Sequence, residues 1–478
     1  MPQRTNIDTG HATIAIFVIL FLTVYCQIIH FPALISLLIL FSGIHLFYST
    51  KANLKLFLHL SLLLTVILFT AHAVTTYTTT PIYYIPIASV AMLTMLLFND
   101  LQLSFLMALM SSAVVCLAVN GNLQLMITFF LGNLTAAYIV REARTRGQLI
   151  GAGLYVSIIQ VMCIVLQYPQ WDFLLTKNFF LNYLRPLMIN GILSSFVVIA
   201  TLKIFEYIFG VLTNFSLLEL TDFNQPLLKR LIMEAPGTYH HSLIVSNLAE
   251  SAADAIGANG LLARVGGYYH DVGKIVKPEY FTENQMHGGN KHDHIEPSMS
   301  RLVIMNHVKE GIELAQKYKL NPKIIDFIPQ HHGTSLMHFF YQRALEEASD
   351  PSSVREEHFR YPGPKPQTRE AAILLLADSS EGATRALEET NPQNIEETVR
   401  KVINNKFIDG QLDECNLTLK EIERIALTFV RVLSAMYHTR VKYPEKKNNH
   451  EDLNSKPTKE NTAFSHLNHQ DRKENIET

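Results

Sequence analysis

Apolar positions follow two regimes along this chain. From Ala12 to about Val211 they form long, nearly continuous runs. From Leu212 to about Tyr443 they recur every three or four residues, and beyond Glu445 large apolar residues almost vanish. A run of about 17 or more apolar residues is long enough to cross a bilayer core. Eight such runs lie at about 12–29, 31–48, 56–74, 82–98, 101–119, 122–140, 150–168 and 187–209. The pattern predicts a short N-terminal tail at 1–11, a membrane domain of about eight helices at 12–211, a soluble domain at 212–443 and a disordered polar tail at 444–478. A large buried helical core is the other source of long apolar runs, but soluble domains do not string eight of them together with short loops.

The first run follows Arg4, as a signal peptide would. No small-residue cleavage site comes after it, only Gln27-Ile-Ile-His-Phe-Pro32, so an anchor helix is expected. Lys51 and Lys55 follow the second run, and Arg141, Arg144 and Arg146 follow the sixth. Basic residues in short loops mark the cytoplasmic side. The uncharged Thr75-Thr-Tyr-Thr-Thr-Thr80 loop then faces out, and the chain returns to the cytoplasm at Val211. The weaker fourth and fifth runs could form a re-entrant pair without changing this parity. The last run is expected to continue as helix from Thr201 to Leu220, with Pro226 as the breaker. Strongly ionisable residues are nearly absent from the runs, so an anchor or a sensor is expected rather than an ion-coupled carrier.

In the soluble part the period is helical. Leu243, Ile244, Leu248 and Ala252 are expected to share one face, and Ile422, Ile425, Leu427, Phe429 and Leu433 another. Period-two alternation is missing, so the expected fold class is all-α: a polytopic helical membrane domain followed by an all-α domain. Two loops interrupt it, the His-rich Phe281–Pro297 segment and His358–Gln367, which carries Tyr361-Pro-Gly-Pro-Lys-Pro366. The net charge of −2 gives no sign of a nucleic-acid surface. Cys26, Cys116, Cys163 and Cys415 form no close pair, which argues against a disulfide framework or a thiolate metal site.

The soluble part carries Glu234-Ala-Pro-Gly-Thr-Tyr-His-His-Ser242, Tyr269-His-Asp-Val-Gly-Lys274, a lone His307, Gln330-His-His-Gly-Thr334 and Leu376-Ala-Asp378-Ser379. Together these read as a set of metal ligands without cysteine, suited to Mn, Fe or Zn. Each has a plainer alternative. His240-His241 and His331-His332 can be helix ends with one exposed ring, His270-Asp271 a capping pair, His307 a core residue and Asp378 a structural carboxylate. His287, His292, His294, His338 and His358 sit in polar or loop context and are set aside as ligands. Five imidazoles and two carboxylates exceed one tetrahedral site and suffice for two octahedral ones. Two ions about 3.5–4 Å apart suit phosphate-ester hydrolysis.

The His241…His270-Asp271…Asp378 pattern, with Lys274, resembles the HD superfamily of metal-dependent phosphohydrolases. The segments above, with Tyr361-Pro-Gly-Pro-Lys-Pro-Gln-Thr368 and Asp409-Gly-Gln-Leu-Asp-Glu-Cys415, resemble the PgpH family of seven-transmembrane cyclic di-AMP phosphodiesterases. The resemblance implies hydrolysis of cyclic di-AMP to pApA by two divalent ions, Mn or Fe. The ligands it implies are His241, His270, Asp271, His307, His331, His332 and Asp378, with His270, Asp271 and Lys274 as the catalytic group. Lys274 and Arg385 become the phosphate-facing cations, and Thr334 and Tyr341 further substrate contacts. It also implies a bacterial inner-membrane location with the HD domain in the cytoplasm, and as partners the lipid bilayer and cyclic di-AMP but no nucleic-acid polymer. A homodimer or a membrane partner protein stays open. Only about His30 separates the first two runs, so the family's extracellular domain is expected to be missing. Two alternatives remain. One is a cyclic di-GMP phosphodiesterase of the HD-GYP kind, although Gly-Thr-Ser-Leu and not Gly-Tyr-Pro follows His332. The other is an inactive nucleotide-binding receptor.

Overall fold

The structure is a computed structural model that describes residues 54–119, 121–168, 170–285 and 290–437. The expected spans at 12–29 and 31–48, the N-terminal tail, Lys51, His287 and the polar tail lie outside the described residues. The apolar runs that follow are helical. They form α1 (Leu54–Tyr77), α2 (Ala88–Phe98), α3 (Leu101–Ala118), α4 (Leu123–Val140), α5 (Arg146–Gln167) and α6 (Arg185–Phe209). Among the described residues, five helical segments are long and apolar enough to cross a membrane, by length and composition, and Ile82–Phe98 is a shorter apolar one. This is an all-α, multi-pass membrane protein.

Polar residues set the helix starts in this apolar background. The Asp100 carboxylate accepts from Gln102 N–H and Leu103 N–H at the head of α3. Asn122 caps α4, and Thr145 forms a reciprocal capping box with Gln148 at α5. The fourth run is not one helix. A 3₁₀ turn at Ile82–Tyr84 precedes Pro86, and α2 has 11 residues, about 16 Å of rise. Its faces are apolar all round and buried, as the sequence of a helix enclosed by others requires. Tyr83 packs on Tyr183, just before α6, with ring centroids 5.3 Å apart. Phe98 stacks near Phe209, the last residue of α6, at 6.1 Å. Segment 82–98 thus packs along α6, and its helix is shorter than the five candidate spans. At the α5–α6 seam, a Cβ on Gly191 would lie 2.0 Å from the Gly153 carbonyl oxygen, so only glycine lets these backbones touch.

The expected helix across 201–220 is not there. Gly210 is left-handed, with φ of 64°, and its N–H closes on the Glu206 carbonyl, ending α6. After a break, Thr213 and Ser216 form a capping box that starts α7 (Asn214–Leu220). The break is bridged by side chains: Lys203 pairs with Glu219 at 2.6 Å, and Thr213 Oγ1 donates to Glu206. Pro226 does not merely break a helix; it opens α8 (Pro226–Glu234) at its first turn.

Seven further labelled helices follow: α9 (Pro236–Ala255), α10 (Gly260–Tyr269), α11 (Pro297–Lys317), α12 (His338–Glu347), α13 (Arg369–Arg385), α14 (Pro392–Ile408) and α15 (Leu419–Met436). No strand occurs among the described residues, only an isolated bridge between Leu336 and Arg360. One core joins α9, α13, α14 and α15 around Val245, Leu374 and Phe429. Another joins α7, α8, α10 and α11 around Leu231, Tyr269 and Ile328. Two expected faces shift. On α9 the buried stripe runs through His241, Val245, Leu248 and Ala252, leaving Leu243 and Ile244 half-buried. On α15, Ile425, Phe429 and Leu433 are buried at strict four-residue spacing, and Leu427 lies outside that register and is exposed.

Candidate metal centre

Five parts of the chain converge on one point. The buried stripe of α9 delivers His241. The end of α10 delivers His270 and Asp271, and the following 3₁₀ turn, Val272–Val276, delivers Lys274. α11 brings His307. The short helix Phe327–Gln330 ends at His331 and His332, and α13 brings Asp378. The glycine of the His-Asp-Val-Gly-Lys run has a steric cause: a Cβ on Gly273 would sit 1.8 Å from the His307 carbonyl oxygen. The turn can press against α11 only without a side chain there.

Asp271 lies at the middle. Its Oδ1 faces His307 Nε2 at 3.5 Å and His331 Nε2 at 3.6 Å. Its Oδ2 faces His270 Nε2 at 3.2 Å and His241 Nε2 at 3.7 Å. Asp378 Oδ1 is 3.0 Å from His241 Nε2 and 3.8 Å from His270 Nε2, and its Oδ2 is 3.8 Å from His332 Nδ1. Three groups have ligand atoms mutually within 4.8 Å: His241, His270 and Asp378; His307, His331 and His332; and His270, Asp271 and His331. One carboxylate thus stands between two nitrogen-rich half-sites.

The outer ring nitrogens are engaged elsewhere. His270 Nδ1 lies 2.8 Å from the Gly267 carbonyl and His331 Nδ1 2.6 Å from that of Ile328. His307 Nδ1 meets the Ile304 carbonyl. His241 Nδ1 is 2.6 Å from the carboxylate of Glu381, which is fully buried one turn past Asp378. Each of these partners accepts a proton from Nδ1, which leaves Nε2 as the inward lone pair.

Burial alone would raise the Asp271 carboxyl, yet His270 and Lys274 hold it well below the usual carboxylate range. Asp378 is likewise held low despite burial, by the hydrogen bond from His241 and by the nearby His270. Burial pushes His331 down to about 3, aided by the charge of His270. His332 is also lowered, by burial and then by His331. Clustered imidazoles cannot all be charged, so part of the set is already in the deprotonated form a metal requires. Buried His270 Nε2 and Asp271 Oδ1 make no hydrogen bond. Orphaned polar atoms in a His/Asp cluster fit divalent cations.

The seven side chains singled out in the sequence therefore meet here. Of the histidines set aside, His294, His338 and His358 are exposed, as is His240. His292 is buried, and its Nε2 donates to the Tyr280 carbonyl at 2.9 Å. A cavity of about 390 Å³ opens beside the cluster, lined among others by Lys274, Glu283, His307, His332, Phe340 and Tyr361. Lys274 is the one expected substrate contact among its lining residues. Arg385 points its guanidinium to Glu381 at 3.4 Å and is largely exposed. The Thr334 hydroxyl engages Gln411, and Tyr341 packs toward Phe359. Sequence reasoning missed three residues: Glu381 behind His241, Glu283 on Lys274, and Tyr361, whose ring stacks on His332 at 4.1 Å. Only Glu381 left a signal, an acid one turn beyond Asp378 in an apolar helix.

Known proteins share both halves of the chain. The family described as a 7TM receptor with intracellular HD hydrolase matches residues 25–213, and the HD domain family matches residues 238–383. The cyclic-di-AMP phosphodiesterase PgpH of Bacillus subtilis is 41% identical over 374 residues, covering 76% of this chain and 51% of that protein. PgpH of Listeria monocytogenes is 39% identical over 373 residues, with the same coverage of 76% and 51%. The crystal structure of the L. monocytogenes PgpH HD domain in complex with cyclic-di-AMP is 46% identical. It covers 45% of this chain and 100% of that one, with a TM-score of 0.44. The chain spans about half the length of the curated relatives it matches.

Proposed function

From the match of residues 25–213 to the family of 7TM receptors with an intracellular HD hydrolase and of residues 238–383 to the HD domain family, we propose that the chain is a membrane-bound, two-metal phosphodiesterase that linearises cyclic di-AMP to pApA. The observation that carries this reading is Asp271, one oxygen toward His307 and His331 and the other toward His241 and His270. A carboxylate so placed can bridge two ions. His241, His270 and Asp378 would hold one of them, and His307, His331 and His332 the other; the donors suit Mn, Fe or Zn, and the family resemblance points to Mn or Fe. When bound, a pair of divalent ions supplies Lewis acidity toward phosphoryl oxygens and a water of lowered pKa.

The chain's own residues bind and orient. Lys274 lines the cavity and presents a cation to a phosphodiester anion. Tyr361 backs His332 and lines the cavity beside it. In the reaction a water oxygen bonds to phosphorus and one P–O3′ bond breaks. The proton lost by the water ends on the 3′ oxygen, and the second diester survives in pApA.

The basic residues support a cytoplasmic site at the bacterial inner membrane. Arg146 lines a small cavity with Lys203, Glu206 and Glu219, so the arginine-rich turn lies at the same end of the bundle as the chain that leads into the metal centre. The test is product analysis of the Mn-loaded protein with cyclic di-AMP and cyclic di-GMP. We expect pApA, with cyclic di-AMP preferred. Equal or better turnover of cyclic di-GMP would overturn the adenine assignment, and no turnover of either would leave a receptor.

A further inference from the structure

The Pro236-Gly-Thr238 turn at the head of α9 contributes no ligand to the metal centre, yet it is tightly built. A Cβ on Gly237 would lie 1.8 Å from the Glu283 carbonyl oxygen, so the 3₁₀ turn Thr282–Asn284 lies directly on the glycine backbone. Asn284 Oδ1 accepts from Thr238 N–H at 3.1 Å, and Asn284 Nδ2 donates to Thr238 Oγ1 at 2.8 Å. That hydroxyl donates in turn to Glu283 Oε1 at 3.1 Å. The same Oε1 accepts from Lys274 Nζ at 2.8 Å. Nζ also lies 2.7 Å from Asp271 Oδ2 and 5.0 Å from the centre of the Phe281 ring.

We propose that Glu283 is the positioning residue of Lys274, held in place by the Pro236-Gly237-Thr238 turn, and that it aims the ammonium at the substrate phosphate. An ammonium has three donors. Asp271 and Glu283 take two, at fixed places, so the third has one direction left. Lys274 and Glu283 both line the cavity, so that direction is available to a phosphoryl oxygen. Without Glu283 the ammonium would keep only its contact to Asp271 and swing about it, so its third donor would lose a fixed direction. Glu283 thus fixes the direction of a cation that already rests on Asp271 at the edge of the cluster.

This inference rests on the phosphodiesterase reading, and its test separates the two. Glu283→Gln, Glu283→Ala, Lys274→Met and the double variant Glu283→Ala/Lys274→Met are prepared in the full Mn-loaded chain. Measured for each are metal content, kcat and KM on cyclic di-AMP and on bis(p-nitrophenyl) phosphate, and the Kd for inorganic phosphate. We expect Glu283→Ala to lose about 10- to 100-fold in kcat/KM and to bind phosphate more weakly with metal content intact. Glu283→Gln should recover part of that. The double variant should be no worse than Lys274→Met, because residues acting through one another are not additive. Additive losses in the double variant, or loss of metal in Glu283→Gln, would overturn the proposal. If the model ester is cleaved and cyclic di-AMP is not, the substrate reading falls while the coupling still stands or fails on the ester. Should neither be cleaved, coupling in the phosphate Kd decides.

Discussion

Asp271 carries more of the proposed chemistry than any other side chain, because its two oxygens face different imidazole groups. Asp271→Ala should therefore lower bound Mn from two ions to one or none and abolish turnover, while the helical circular dichroism persists. His270→Ala should do the same. Full activity after chelation and Mn reloading in either variant would exclude the assignment. The pH response follows from His270. Burial works against its charged form, but Asp271 wins and raises the ring to about 10. In the metal-free protein this group contributes stability that is fully present below about pH 6.5, the ordinary histidine value, and is lost as pH rises through the raised one. A metal needs the Nε2 lone pair, so binding expels that proton and its stabilisation is lost as pH falls. Mn added at pH 7.5 should release protons, measurable by titration calorimetry in buffers of different ionisation enthalpy, and the release should shrink toward pH 10. Saturable Mn binding with no proton release at pH 7.5 would contradict this.

Among the elements, the contact between the Val272–Val276 turn and α11 decides whether the half-sites meet. His307 reaches Asp271 only because Gly273 lies on its backbone. Gly273→Ala forces the two apart. Overpacking of this kind costs about 1–3 kcal/mol, so the melting temperature should fall by several degrees. The more telling result is in the metal count: the His307, His331, His332 side should lose its ion first. Unchanged metal content in Gly273→Ala would mean that α11 can yield without moving His307. The kink at Gly210 matters at this scale too. It replaces the expected continuous helix by two helices clasped through Lys203–Glu219 and Glu206–Thr213.

For the whole molecule, the backbone bracketed by that clasp is the covalent route from the membrane helices to the candidate metal centre. A kink held by side chains can pass on a tilt or rotation of α6, and a flexible insert would absorb it. Leu217 is buried in α7, so an insertion there would disrupt the core. The break after Val211 is the better place. Gly-Gly-Ser-Gly inserted after Val211 should make turnover independent of bilayer composition while preserving the rate in detergent. If the intact chain and the insertion variant vary alike across lipids of different thickness and charge, the membrane helices do not regulate the site by this route.

Much of this architecture was legible in the sequence because the relevant signals are local. Long apolar runs mark bilayer-crossing helices, since a bilayer core demands length and few charges. A 3.6-residue period marks the remaining helices, and imidazoles clustered with carboxylates and without thiolates mark a metal centre. What stayed hidden depends on separation in three dimensions. The helix break at Gly210 needed the capping geometry of Thr213 and Ser216 to outcompete helical continuation. Glu381 behind His241 and Glu283 on Lys274 lie 140 and 9 residues from their partners. No period along the chain links such pairs. Arg385 shows the converse: two turns from Asp378 placed it near the site by helical count, but pairing with Glu381 turned its guanidinium aside. Sequence spacing sets which face a side chain occupies; only packing of α9, α11 and α13 around the His270-Asp271 turn decided which atoms those faces meet.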